Sequence, residues 1–183
     1  MKPSPIQLLR LNFKHVNVAL DPSNLPPEVP NPLEAVFTFD GVTIHTEVGV
    51  GEAQPGDTGQ FYFLELRVVV DNQPQPGASN QKFSPYTIDI ATEGVVLVPN
   101  GAEKLGAPED LAVVNGTSLL WSAVREQVLS LTARMRAGPV MLPTVHFHDL
   151  KKQVVAPPAA ATAVPQAPRA TPATKRTTAR RAG

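Results

Sequence analysis

The chain has 183 residues, enough for one domain with a real core and a tail, and it is 42% hydrophobic but only 17% charged. It has 20 Pro against 12 Gly, four His and no Cys, which excludes disulfides, thiol catalysis and every thiolate zinc site. The formal net charge of zero hides an asymmetry: residues 1–150 set nine Lys and Arg against all 16 acids, while residues 151–183 carry seven bases and no acid. The body is therefore at −7 and the tail at +7.

The first stretch, Pro5 to Leu20, alternates with a shift of phase. Leu9, Leu11 and Phe13 share one parity and Val16, Val18 and Leu20 the other, which predicts a strand with a bulge or bend near Lys14. Val36 to Val50 predicts a second strand, with Val42, Ile44, Val48 and Val50 on a buried face. Gln60 to Asp71 predicts a third, placing Tyr62, Leu64, Leu66, Val68 and Val70 on one side and Glu65 and Arg67 on the other. Tyr86 to Val98 predicts a fourth, alternating Tyr86, Ile88 and Ile90 against Thr87, Asp89 and Ala91 before an apolar run beyond Gly94. The links DPSNLPPEVPNP, EAQPGDTG and DNQPQPGASN are rich in turn formers and too short for crossover helices. Consecutive strands are therefore expected to pair as an antiparallel meander.

From Thr117 to about Arg136 the period becomes helical. Gln127, Leu120, Leu131, Val124, Met135, Val128 and Trp121 fall within an arc of about 120°, a core-facing stripe. Thr117 or Ser118 suits the N-cap, and Gly138-Pro139 stops the helix. Leu119 and Leu129 lie off the stripe and suggest a second contact surface. A Pro-punctuated AGPVMLPT segment leads to a second amphipathic stretch, Val145 to Val155. Four strands followed by two helices is an α+β pattern. Residues 1–155 are read as the folded domain. Residues 156–183, Ala/Pro/Thr-rich and without periodicity, are read as a disordered basic tail.

Enzyme chemistry is poorly supported. GVGVGEAQPG lacks the Lys-Ser/Thr of a phosphate loop, and no Ser-His-acid arrangement stands out. His146 and His148 flank Phe147 and read as a polar helix start rather than as metal ligands, so neither metal nor cofactor is expected. The basic tail admits a nucleic-acid reading through phosphate contacts, but the acidic body opposes it and a solubilising tail is the plainer reading. No apolar window approaches a membrane span and the start has no signal-like apolar region, so the expectation is a cytoplasmic protein without membrane insertion.

The block VREQVLSLTARMRAGPVMLPTVHFHDL, Val124 to Leu150, resembles the SecB export chaperones and their SecB-like relatives. The resemblance rests on Arg125-Glu126, on Ser130 with Thr132-Ala133-Arg134, and on Leu142-Pro143-x-Val145-x-Phe147. PIQLLRLNFKHVNVAL and YTIDIATEGVVLVPNG extend it, more weakly, over most of residues 4–151.

This resemblance implies a four-stranded antiparallel sheet with two helices, assembled as a dimer of dimers through the long helix, with Leu119, Trp121 and Leu129 at the interface. It implies an ATP-independent holdase with no catalytic residue, binding unfolded polypeptides in apolar grooves. Val140, Met141 and Leu142 of the crossover loop, with Phe147 and Leu150, are the candidate groove wall by analogy. Family members dock the SecA export motor through acids on the first and fourth strands. Here Asp89 keeps such an acid, whereas His15 and Ala19 occupy the first-strand positions. The partners implied are thus preproteins with the SecA motor, or an antitoxin of a toxin-antitoxin system served by a SecB-like relative.

Overall fold

The structure, a computed structural model, describes residues 4–26, 37–51, 53–77 and 80–151. Its centre is the antiparallel pair β4 (Gly59–Val70) and β5 (Tyr86–Pro99), in which Leu64 faces Gly94, Leu66 faces Thr92 and Val68 faces Ile90. The alternation read from the sequence holds, since every second residue from Tyr86 to Val98 is buried and Tyr62, Leu64, Leu66, Val68 and Val70 all join the core. Period-two patterning of this strength sends one face to the core and leaves the other for solvent.

β1 (Gln7–Leu20) pairs with β5 along its length, with register shifts between Leu8 and Arg10 and between Phe13 and His15. The second shift is the bulge expected near Lys14. Each inserts an extra residue and resets the alternation. Leu8, Leu11, Phe13, Val16, Val18 and Leu20 therefore all stand opposite inner-face residues of β5, despite their mixed parity. Leu8 replaces the expected Leu9, which the first bulge leaves exposed.

Three expectations about the sheet are corrected. The described sheet has five strands, because Gln54–Gly56 (β3) folds back on β4 across the turn at Asp57 and Thr58. Gln-Pro-Gly has little strand propensity, and the Phe61 ring occupies the space a side chain on Gly56 would need.

Sheet order is β1-β5-β4-β2, so the meander holds for β2, β4 and β5, while β1 crosses to the far edge. At the crossing, Asp21 N–H donates to Pro85 O at 2.9 Å, and Asn72 Nδ2 donates to Asp21 Oδ2 at 2.7 Å and to Ser84 O at 2.8 Å. Asn72 reaches both from a left-handed conformation, φ 56°. Finally, β2 spans only His45–Val50; upstream, Val42 makes an isolated bridge to Lys82. Its Val48 is half-buried and Val50 exposed, because the helix packs chiefly on β5, β4 and β1.

That helix, α1, runs Pro108–Thr132. It begins nine residues before the expected cap: Pro108 opens it, and Glu109 and Asp110 sit in its first turn, where the amide dipoles favour negative charge. Thr117 and Ser118 are mid-helix, Thr117 fully buried and Ser118 Oγ donating to Val114 O at 2.7 Å. Leu120, Trp121, Val124 and Val128 are buried as expected, while Leu131 emerges at the surface.

The expected second helix is reduced, within the described residues, to a single 3-10 turn at His148–Leu150, followed by Lys151. Residues 152–155 and the tail 156–183 lie outside the described residues. Among those described, no helix is long and apolar enough to cross a membrane, and no group of three or more potential ligands is placed to hold a metal ion.

Helix and sheet approach closely at Gly116, where a Cβ would overlap Leu64 Cδ1 and lie 2.8 Å from Val96 Cγ2. Gly116→Ala should therefore destabilise the fold by about 1–3 kcal/mol through overpacking, outweighing the gain in helix propensity of up to about 1 kcal/mol. In urea unfolding the midpoint should fall with little change of slope.

Candidate functional site

The segment leaving α1 is an extended strap fastened to the helix and sheet by hydrogen bonds. Gly138, at φ 80°, turns the chain, and Tyr86 Oη donates to Gly138 O at 2.7 Å. Thr132 Oγ1 donates to Val128 O at 2.8 Å and accepts from Val140 N–H at 3.0 Å. Arg125 Nε donates to Leu142 O at 2.7 Å, and Trp121 Nε1 to Pro143 O at 2.9 Å. The strap thus runs back along α1, towards its N-terminal end.

An extended backbone alternates its side chains, and this decides the fate of the proposed groove wall. Val140 and Leu142 point into the core and are fully buried, while Met141 between them is 41% exposed. Phe147 is buried edge-on against Trp121, with ring centroids 6.0 Å apart, and Leu150 is half-buried. Of the five expected client-contact residues, Met141 and Leu150 are accessible. Val140, Leu142 and Phe147 belong to this chain's own core.

The expected oligomer contacts divide similarly. Leu119 is 39% exposed and Leu129 half-buried on the outward side of α1. Trp121 is only 3% exposed and satisfied within the chain, so its ring is unavailable to a partner helix. Prolines on both sides of Val140-Met141-Leu142 already signalled extended backbone, hence alternation, in the sequence.

The sheet face away from α1 forms a second surface. One part is a charged band crossing four strands. Glu47 on β2 lies 3.8 Å from Arg67 on β4, Arg67 makes a two-pronged bond to Asp89 on β5 at 2.9 and 3.0 Å, and His15 on β1 lies 4.0 Å from Asp89. Beside it, Glu65 and Glu93 face each other directly across β4 and β5, a repulsive pairing. Lys14 relieves it, bonding Glu65 at 2.8 Å, while Asn12 Nδ2 donates to Glu93 at 3.2 Å. The Lys14 bulge makes this possible by placing an extra residue beside His15 while Phe13 and Val16 keep their inner-face positions.

The other part is apolar. Phe61 and Phe63 on β4 face Leu97 and Val95 on β5; Phe63 is 43% exposed and Leu9, in the nearby bulge of β1, 51%. A pocket of about 160 Å³ lies at the boundary, lined by residues that include Arg10, Asn12, Phe63, Glu65, Glu93 and Val95. It is below the roughly 300–1,000 Å³ of small-molecule sites and suits a single side chain. The sequence reading did not single out Phe63 or Leu9. The signal for Phe63 was a large apolar residue on the solvent parity of an otherwise alternating strand, whereas Leu9 shares the parity of Leu11 and Phe13 and is exposed only because of the first bulge.

Asp89, the candidate motor-docking acid, is held below the ordinary carboxylate range by its hydrogen bonds from Arg67, against a smaller opposing effect of burial. A depressed carboxyl contributes stability that is complete above its unfolded pKa and is lost as pH falls through the folded value. Arg67→Met should raise the Asp89 titration midpoint read by carboxyl NMR. The stability advantage of the unmodified chain over that variant should be full at neutral pH and vanish in acid; an unchanged midpoint would sink the assignment.

No protein-family model and no curated protein matches the chain. Among solved structures it is similar to the SecB-like chaperone Rv1957 of Mycobacterium tuberculosis, determined in complex with a ChAD peptide from the Rv1956 HigA1 antitoxin. That similarity has 18% identity and a TM-score of 0.38, over 76% of this chain and 90% of the other.

Proposed function

We propose that the chain is an ATP-independent holdase that binds unfolded polypeptides without catalysis or cofactor. The observation that carries this reading is the set of large apolar side chains left exposed on both sides of the sheet. Phe63 and Leu9 lie beside the charged band of the sheet; Met141 lies on the strap and Leu119 and Leu131 on the helix. None of these is a tight site by itself, yet several weak apolar contacts on one particle reach useful avidity through effective concentration, while the surrounding charge keeps the particle soluble. Met141 suits varied clients because its unbranched chain repacks easily. Val140, Leu142 and Phe147 act behind it as packed support. Oligomerisation through Leu119 and Leu129, as the sequence resemblance implies, would multiply these contacts. Residues 1–155 are the working domain, the basic tail keeps it soluble, and the cytoplasm is the compartment.

The client class has two readings, preproteins for export or one antitoxin. The pairing of Asp89 with Arg67 favours the second, because a neutralised acid offers little to a docking motor. An antitoxin chaperone would prefer one segment and would neutralise the toxin only when the antitoxin is present. A nucleic-acid function would instead show binding that falls steeply with salt.

The test is light scattering of a chemically unfolded, aggregating protein with stoichiometric chain and no ATP, together with the solution mass. Suppression by a species near four times 19.5 kDa is the expected outcome, and Met141→Asp should weaken suppression while leaving the fold intact. Unhindered aggregation of both a general client and the antitoxin would overturn the proposal.

A further inference from the structure

Asn-Gly occurs twice in the chain, as Asn100-Gly101 and Asn115-Gly116, and the two pairs lie in opposite environments. We propose that Asn100 is a site of spontaneous deamidation and isoaspartate formation, from which Asn115 is protected by the fold. The reaction needs the backbone nitrogen of the following residue to reach the asparagine Cγ. Glycine favours it because no Cβ obstructs the approach.

Asn100 is exposed, in the turn between β5 and the 3-10 turn Ala102–Leu105. Gly101 stands at φ 89° with open space where a Cβ would be, and among the described residues nothing accepts from its N–H. The side chain is held only by a long bond, Asn100 Nδ2 to Asp57 O at 3.2 Å. Asn115 is mid-helix, with Nδ2 bonded to Leu111 O at 2.7 Å. Gly116 is buried against Leu64 and Val96, and its N–H is committed to the helical ladder. Rotating that peptide requires opening the helix.

At Asn100 the Gly101 nitrogen attacks Cγ and the new N–Cγ bond forms. The Cγ–Nδ2 bond breaks, and ammonia departs carrying the proton lost from Gly101 N. Water then opens the five-membered succinimide at either carbonyl, giving aspartate or isoaspartate at position 100 with no change of oxidation state.

Either product loses the donor to Asp57 O and puts a carboxylate against that carbonyl. Isoaspartate also adds a methylene to the main chain, beside the 3.0 Å bond from Asn100 N–H to Thr58 O. The modification therefore loosens the tie between the β3–β4 turn and the end of β5.

The test is incubation of the full chain in mildly alkaline buffer, folded and in urea, with peptide mass spectrometry and fragmentation that distinguishes aspartate from isoaspartate. In the folded chain Asn100 should react more than about tenfold faster than Asn115, because the helix interior reacts only through local opening. In urea the two rates should converge. Equal rates in the folded chain would overturn the proposal, and so would an unreactive Asn100 in a folded chain whose unfolded form reacts there.

Discussion

The close approach of α1 to the β4–β5 pair is the constraint from which the rest of the structure follows. Gly116 on the helix meets Leu64 and Val96, and Gly94 on β5 meets Leu120 and Leu8, so backbone and side chains interlock where a Cβ on either glycine would intrude. With the helix seated there, Leu120, Val124 and Val128 are buried on β4 and β5, and β2 lies outside its reach. The strap completes the cover. Its bonds to Trp121, Arg125, Thr132 and Tyr86 satisfy backbone groups where the strap seats on the helix and sheet.

The opposite face of the sheet shows how one strand serves two demands. β1 must supply apolar residues to the helix side and polar ones to the solvent side, although its sequence changes parity midway. Two bulges reconcile these demands, and the one at Lys14 also brings an ammonium to the Glu65–Glu93 pair. Each of the four acids on this face, Glu47, Glu65, Asp89 and Glu93, thereby has a partner side chain. The proposed holdase role rests on the remainder, apolar groups beside a band whose acids are partnered.

Much of this was legible in the sequence because it depends on local periodicity. β4 and β5 were readable with their faces, since alternation over a dozen residues admits one register of inside and outside. The bulge near Lys14 was readable because a change of parity within one apolar strand has few other solutions. The start of α1 was harder, since Pro108 and Asn115-Gly116 depress helix propensity, and the cue lay in Pro108-Glu109-Asp110 rather than in a Ser or Thr cap. Site residues were legible by neighbourhood but not by exposure. The prolines flanking Val140, Met141 and Leu142 signal that the three alternate, but only the seat of the strap against α1 decides that Val140 and Leu142 are buried and Met141 accessible.

What the sequence by itself determined is the α+β class, the inner faces of the central strands, the buried stripe from Leu120 to Val128 and the separation of an acidic body from a basic tail. All of these follow from spacing and composition along a short stretch of chain. Tertiary structure alone decided that β1 crosses to pair with β5, that Gln54–Gly56 becomes a strand, and that Asp89 is neutralised by Arg67. Each depends on contacts between residues distant in sequence, whose energies arise only when the chain brings them together, so no local pattern encodes them.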